Sequence, residues 1–360
     1  MPTPRMTREN RPLTSIRGFA SLWVFTAHVA SVYYPVLPHR LAIALDCGWL
    51  GVDIFFVLSG FILATVYASL APAGWGRFAT RRVLRVFPLN TALMGFFILC
   101  ALLGIRSGAA VDWHYLPWHL LMLQSFVPGH KTGWIFVNWS VGVELLCYLA
   151  FPLLVLALRR FNRAALVVAT LAAALLAYRL QLHVLGAFFG LPAVLRCGSE
   201  FLLGATVATL ALRLPRLSPR AAGLLEVAAL VALVAGVTGG LGAEWCAAVG
   251  SRRMATIPLA AAALIFALAS DAGPLARLLR WPPLFWLGQV SFSLYLIHWP
   301  LMVRCAPFAW IWSGGPPPVG VVAVWGALVL AVALALSTLT YRFVEIPGRS
   351  LAGRKKDVLS

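Results

Sequence analysis

Ten stretches of about 20 mostly apolar residues follow one another along the chain, near 16–36, 48–70, 87–105, 137–158, 164–183, 192–212, 221–240, 254–270, 284–304 and 318–341. Nothing else constrains the fold as strongly. A helical run of that length, rising 1.5 Å per residue, crosses the ~30 Å hydrocarbon core of a bilayer. Composition agrees: 61% of the residues are hydrophobic and 11% charged, with a mean hydropathy of +0.88. Soluble domains run at about 45–50% apolar and about 25% charged. The expected fold is an all-α integral membrane protein of about ten transmembrane helices. It forms one membrane-embedded domain over 1–360, with short basic tails at 1–15 and 342–360. Arg5, Arg8 and Arg11 precede the first run as they would a signal peptide. No small-x-small cleavage pattern follows, however, and His28 interrupts the apolar stretch, so the run reads as a span.

The 29 basic residues outnumber the 11 acidic ones, for a net charge of +18. In a soluble chain that surplus would argue for nucleic-acid binding; here the charges cluster between apolar runs, and no nucleic-acid partner is expected. With a cytoplasmic N-terminus, 21 of the 29 basic residues fall on the inner side. The positive-inside rule then puts both termini in the cytoplasm. The longest outer segment, 106–136, contains an apolar stretch from Leu116 to Val127 that is too short to span and is expected to lie in the interface or re-enter. Cys47, Cys100, Cys147, Cys197, Cys246 and Cys305 form no CxxC pair and read as small packing residues, with no disulfide frame and no metal site. Trp113, Trp118, Trp134, Trp139, Trp245, Trp310 and Trp312 in outer segments read mostly as interface anchors, a few being able to stack on a sugar.

Ionisable groups in hydrocarbon are costly unless they face a protein interior or a wet cavity, so each is a functional candidate. Four stand out: His28, Asp53, Glu144 and His298. Counted along their spans, all four fall about 8–12 Å below the outer surface, in one layer. Arg17 and His28, eleven residues apart, share a helix face about 16 Å from each other. Ser140, Glu144 and Tyr148 share a second face, and Ser291, Tyr295 and His298 a third. These stripes serve either to bind substrate or to hydrogen-bond the bundle together. Ser140, Tyr148, Tyr295, His298 and Trp139 are the candidate substrate contacts. Arg82 and Arg85 lie three residues apart beside Arg81 in the first cytoplasmic loop, and two guanidiniums on one helix face can hold a phosphate bidentately. Positive-inside loops are Arg-rich in any case.

Six motifs in order resemble the membrane-bound acyltransferase 3 family: Ser15-Ile-Arg17-Gly18 through His28, Gly51-Val-Asp53-Ile-Phe55-Phe56 through Phe61, Arg81-Arg82-Val-Leu-Arg85 through Pro88, Asn138-Trp139-Ser140 through Glu144, Tyr148 and Pro152, Ser291-Phe-Ser293-Leu-Tyr295 through Pro300, and Glu345-Ile-Pro347. They span essentially the whole chain. The resemblance implies a ten-span enzyme of the bacterial inner membrane, moving an acyl group, usually acetyl, from cytoplasmic acyl-coenzyme A to a hydroxyl, less often an amine, of a glycan, lipid-linked sugar or other acceptor. It implies an essential Arg and His in the first span, here Arg17 and His28, and coenzyme A phosphates on Arg82 and Arg85 with Arg81 as helper. On that reading His28 is the general base and Asp53, or else Glu144, holds its tautomer. Asp53 is preferred because consecutive spans pack together, and Arg17 stabilises charge on the donor or thioester. Phe292 stands where the family usually has Tyr. Some members carry a C-terminal hydrolase-like domain; this chain stops 19 residues after the tenth run, so a different acceptor or a periplasmic partner is expected.

Two other functions remain open on the residues alone. Intramembrane His28, Asp53 and Glu144 suit a proton-coupled transporter or exporter, although the inverted repeats and paired broken helices common in transporters are not evident. A non-catalytic scaffold in polysaccharide assembly is the third reading. Besides lipid, the expected partners are therefore acyl-coenzyme A and a saccharide acceptor.

Overall fold

Each apolar run lies on a helix, and no strand occurs among the described residues. The structure, a computed structural model, describes residues 9–33, 36–104, 112–127, 134–184, 188–238 and 254–354. Arg5, Arg8, Trp245, Cys246, Lys355 and Lys356 lie outside these, as do the side chains of Cys305, Trp310 and Trp312. In chain order the helices are α1 (Arg11–Tyr33), α2 (His39–Asp46), α3 (Gly51–Val66), α4 (Trp75–Leu102), α5 (Leu116–Leu120), α6 (Asn138–Arg159), α7 (Arg163–Val184), α8 (Gly190–Ala211), α9 (Pro219–Thr238), α10 (Ile257–Ala269), α11 (Pro274–Leu279), α12 (Pro282–Gln289), α13 (Ser291–Ser313), α14 (Val319–Thr340) and α15 (Ile346–Arg354).

Among the described residues, seven helical stretches are long and apolar enough to cross a membrane: Cys47–Val66, Pro72–Leu102, Asn138–Arg159, Arg163–His183, Gly190–Ala211, Pro219–Val237 and Val319–Leu351. The apolar α10 is shorter, at 13 residues. Helices α1 and α13, of 23 residues each, carry the two histidines of the candidate site. The outward faces have the character that lipid requires. Val168, Leu171 and Leu175 on α7, Leu224, Val227 and Val231 on α9, and Val324, Leu328 and Val332 on α14 recur three or four residues apart and are all exposed. Charged groups such as Asp53, Arg196 and Glu200 are instead fully buried between helices.

Helices α3 and α8 cross at close range. A Cβ on Gly60 would lie 2.0 Å from the Phe201 carbonyl oxygen, and one on Gly204 would lie 1.9 Å from that of Val57. Only hydrogen fits at either point, which is how helices without a hydrophobic drive between them reach van der Waals contact in lipid.

Three boundaries differ from the sequence expectation. Helix α4 starts at Trp75 and runs 28 residues, so the Arg77–Arg85 run is continuous with the third apolar stretch. At 1.5 Å per residue it measures about 42 Å, longer than a ~30 Å core, and its arginine end has length to spare for the interface. The ninth run breaks after Gln289; Ser291 Oγ donates to the Gly288 carbonyl at 2.8 Å and α13 starts there. The last run does not end at 341 but continues through a π-helical turn at Tyr341–Glu345 into α15.

The Leu116–Val127 stretch packs against the middle of α4 and the first turn of α6. Gln124 Nε2 donates to Asn138 Oδ1, Asn138 Nδ2 to Asn90 Oδ1 at 3.0 Å, and Asn90 Nδ2 to the His119 carbonyl at 3.3 Å. Ser125 Oγ closes on the Trp139 carbonyl at 2.9 Å. Irregular backbone is tolerated at such a place because protein groups satisfy it. Cys47, Cys100, Cys147 and Cys197 are buried free thiols.

Candidate active site

A cavity of about 40 Å³ lies where α1, α3, α6 and α13 meet, with room for a few waters or a narrow acyl chain. Arg17 of α1 and Glu144 of α6 line it, together with Ser140 and Tyr295; Phe55, Phe56 and Phe292 form apolar walls. Phe292, in place of Tyr, thus removes a hydroxyl from the wall. Tyr295 OH and Ser140 Oγ both face the Val137 carbonyl, at 3.0 and 3.3 Å, and share a hydrogen bond of 2.7 Å between them. Glu144 Oε1 accepts from Ser59 Oγ at 2.5 Å and from Tyr148 OH. The i, i+4, i+8 stripe on α6 therefore does face one interior space.

Arginines gather on the Glu144 side. Arg17 shares its electrostatic surroundings with Arg85, Arg349, Tyr148 and Glu144, and Arg85 with Tyr148, Glu144, Glu345 and Tyr341. Among the described residues neither Arg17 nor Arg85 makes an ion pair or a hydrogen bond, so each presents guanidinium donors to an incoming anion. Arg82 is engaged already: it donates to Tyr67 OH at 3.3 Å and lies over the rings of Tyr67, Phe78 and Tyr148 at 5.6–5.8 Å. Arg81 is exposed. Of the Arg81, Arg82, Arg85 set, Arg85 is the member whose charge acts on Arg17.

At the other end of the same face of α1, His28 meets His298. His298 Nδ1 lies 3.0 Å from the Leu294 carbonyl, and its Nε2 lies 3.0 Å from His28 Nδ1, which is also 2.9 Å from the Val24 carbonyl. A carbonyl only accepts, so His298 Nδ1 carries hydrogen and its Nε2 holds the lone pair. His28 Nδ1–H then faces both the Val24 carbonyl and His298 Nε2. That assignment leaves His28 Nε2 as the basic nitrogen; the centre of the His28 ring stands 5.1 Å from that of Trp299 and 6.4 Å from that of Phe136. His298 is fully buried and His28 half-buried. The His298 ring stands 6.0 Å from that of Tyr295, which links the pair to the cavity.

Asp53 does not join them. The four ionisable residues expected in one layer occupy three places, because equal depth along a span leaves the direction around each helix axis free. Asp53 points to α7 and α8: Gln181 Nε2 donates to its Oδ2 at 2.8 Å and to Glu200 Oε1 at 2.7 Å, while Arg196 lies 3.7 Å from its Oδ1. The Arg196 guanidinium lies over Trp49 and Trp139 at 5.6 Å and Phe188 at 5.9 Å. Trp139 is thus buried in the bundle beneath an arginine. His28 is oriented by a second histidine and a backbone carbonyl, where Asp53 or Glu144 was expected. Arg196, Gln181 and Glu200 were not singled out in the sequence, although Arg196 and Glu200 at i, i+4 in an apolar run carry the same signal that marked His28. Ser59 was hidden in an apolar motif and Arg349 in a basic tail.

Residues 12–336 match the acyltransferase domain family. The chain is 31% identical to the acyltransferase MdmB of Streptomyces mycarofaciens, covering 96% of the chain and 93% of that protein. It is 28% identical to the putative membrane-bound transacylase BcsY of Komagataeibacter xylinus over 87% of the chain and 81% of BcsY. Identity to the putative peptidoglycan O-acetyltransferase YrhL of Bacillus subtilis is 26% over 94% of the chain, which spans 54% of that longer relative. No solved structure matches.

Proposed function

The chain belongs to the acyltransferase family matched by residues 12–336, and from that premise we propose that it transfers an acyl group, acetyl above all, from acyl-coenzyme A to a hydroxyl of a glycan or other saccharide acceptor. One observation carries the reading: the His298 and Val24 contacts leave His28 Nε2 as the basic nitrogen, on the helix face whose other end presents the unpaired Arg17. The residues fit a phosphorylated thioester donor, since free guanidinium donors at Arg17 and Arg85 match phosphate oxygens. In the reaction His28 Nε2 takes the hydroxyl proton as the oxygen attacks the thioester carbonyl. The C–S bond breaks, and the proton passes from His28 to the departing sulfur. Neutral imidazole suits the task near pH 7. Arg17, about 16 Å from His28 along α1, offsets the charge of the donor phosphates. Tyr295 and Ser140 shape the wall between the two ends.

Ten spans with both termini in the cytoplasm of a bacterial cell membrane complete the proposal, supported by 21 of 29 basic residues falling on one side. The Arg85 end would then face the cytoplasmic donor and the His28 end the outer acceptor. A fluorescent protein fused at residue 360 is expected to light up without export, and an alkaline phosphatase fused there to be inactive; an active phosphatase sinks the topology.

The enzyme test is radiolabelled acetyl-coenzyme A given to purified protein in detergent. Label release or transfer to a saccharide is expected. Loss of an acyl mass from the glycans of a deletion strain would identify the acceptor, whereas no transfer in either assay returns the transporter and scaffold readings. Arg85→Lys keeps the charge and loses the fork. It is expected to weaken coenzyme A binding about tenfold, one charge-assisted hydrogen bond's worth, while Arg81→Lys leaves binding unchanged. Wild-type affinity in Arg85→Lys overturns the phosphate assignment.

A further inference from the structure

The last helix brings a further guanidinium to the donor end. Pro88 lacks the N–H that would bond the Leu84 carbonyl inside α4. Gly348 of α15 sits at that point, where a Cβ would lie 3.1 Å from the Leu84 oxygen and 3.0 Å from Pro88 Cγ. That contact seats α15 on the Leu84–Pro88 turn of α4, and Arg349 and Arg85 each act electrostatically on Arg17, as Arg85 does on Arg349.

Arg349 is aimed. Its NH2 donates to Glu345 Oε2 at 2.6 Å and its guanidinium lies over the Tyr341 ring at 5.6 Å. Glu345 is itself anchored on α13, accepting from Ser293 Oγ at 2.5 Å, and Thr340 Oγ1 donates to that Ser293 oxygen at 3.0 Å. The π-helical turn at Tyr341–Glu345 presents these groups, a local unwinding common at functional sites. Arg349 Nε is buried with no hydrogen-bond partner. Arg17, Arg85 and Arg349 thus share one electrostatic neighbourhood, the first two without an ion pair among the described residues, and the carboxylates acting on them are Glu144 and Glu345. Like charges brought together out of bulk water repel unless an anion bridges them.

Resting on the acyl-donor reading above, we propose that Arg349, held in place by Glu345, is a phosphate-binding residue for the coenzyme A donor, so that the donor site is closed by α15 as well as by α1 and α4. A phospholipid headgroup offers the same phosphate chemistry. The donor is the occupant because Arg349 is grouped with Arg17, which lines the interior cavity.

The test uses the full chain in nanodiscs of zwitterionic lipid, titrated with coenzyme A. Arg349→Gln is expected to raise the dissociation constant tenfold or more, and Arg349→Lys, which keeps the Glu345 ion pair, by about threefold. The KM for acetyl-coenzyme A should rise at unchanged kcat, and turnover of acetyl-pantetheine, which carries no phosphate, should match wild type. Unchanged coenzyme A affinity in Arg349→Gln alongside a loss in Arg85→Lys overturns this inference alone; unchanged affinity in both overturns the donor-phosphate reading beneath it. An affinity difference that emerges only when anionic lipid is added assigns Arg349 to headgroups and also overturns it. If Arg349→Gln fails to fold by thermal melt, Arg349→Lys decides: wild-type affinity in that variant counts against the proposal.

Discussion

Replacing His28 with Gln is expected to lower acyl transfer about 100- to 10,000-fold, the usual contribution of a positioned general base, with coenzyme A binding kept. Glutamine offers an amide donor near His298 Nε2 and the Val24 carbonyl but no basic atom where His28 Nε2 stands. Donor affinity is retained because Arg17 stands three helical turns from His28 on α1 and Arg85 belongs to α4. His298→Gln is expected to cost less, since His298 acts through His28: it accepts from Nδ1–H and so keeps the lone pair on Nε2. A folded His28→Gln protein that still acylates at near wild-type rate would falsify the catalytic role. Glu144, held by Ser59 and Tyr148, would be the next base to examine.

Much of the fold was legible because lipid punishes exposed polar backbone so heavily that apolar length alone locates helices. The arginine run lies on one helix; of the stripes, Ser140, Glu144 and Tyr295 line one cavity and Tyr148 bonds Glu144, whereas Ser291 bonds the Gly288 carbonyl and His298 pairs with His28. Span ends were less so. The break before Ser291 depends on α12 packing against the Thr14 carbonyl through Gly288, a tertiary contact with no local sequence signal. Partner choice among buried polar groups was the least legible of all. Depth follows from counting residues, but whether Asp53 turns towards α1 or towards α7 and α8 depends on the Gly60–Gly204 crossing, which presses α3 onto α8. Once α8 is that close, Arg196 and Glu200 are the neighbours of Asp53, and His28 is left to His298.

That geometry makes Arg196→Met the substitution with the largest expected effect on stability. Two carboxylates, Asp53 and Glu200, surround one guanidinium in a fully buried cluster, bridged by Gln181. Removing the one cation of this cluster among the described residues leaves its carboxyl groups with no counter-charge in a low-dielectric interior, a loss of about 3–5 kcal/mol when one partner of a buried pair is deleted. In a chain of this size the unfolding midpoint in detergent should fall by roughly 4–7 °C. Asp53→Asn and Glu200→Gln each leave one carboxylate matched to Arg196 and keep a polar group for Gln181, so either should shift the midpoint far less. The same pair of measurements separates two roles for Asp53. If Asp53 only balances Arg196, Asp53→Asn retains acyl transfer within about tenfold, since no general-base contribution is lost. If Asp53 orients the catalytic histidine, Asp53→Asn loses most of the rate at an unchanged midpoint, and the pairing of His28 with His298 is then not the arrangement that turns over.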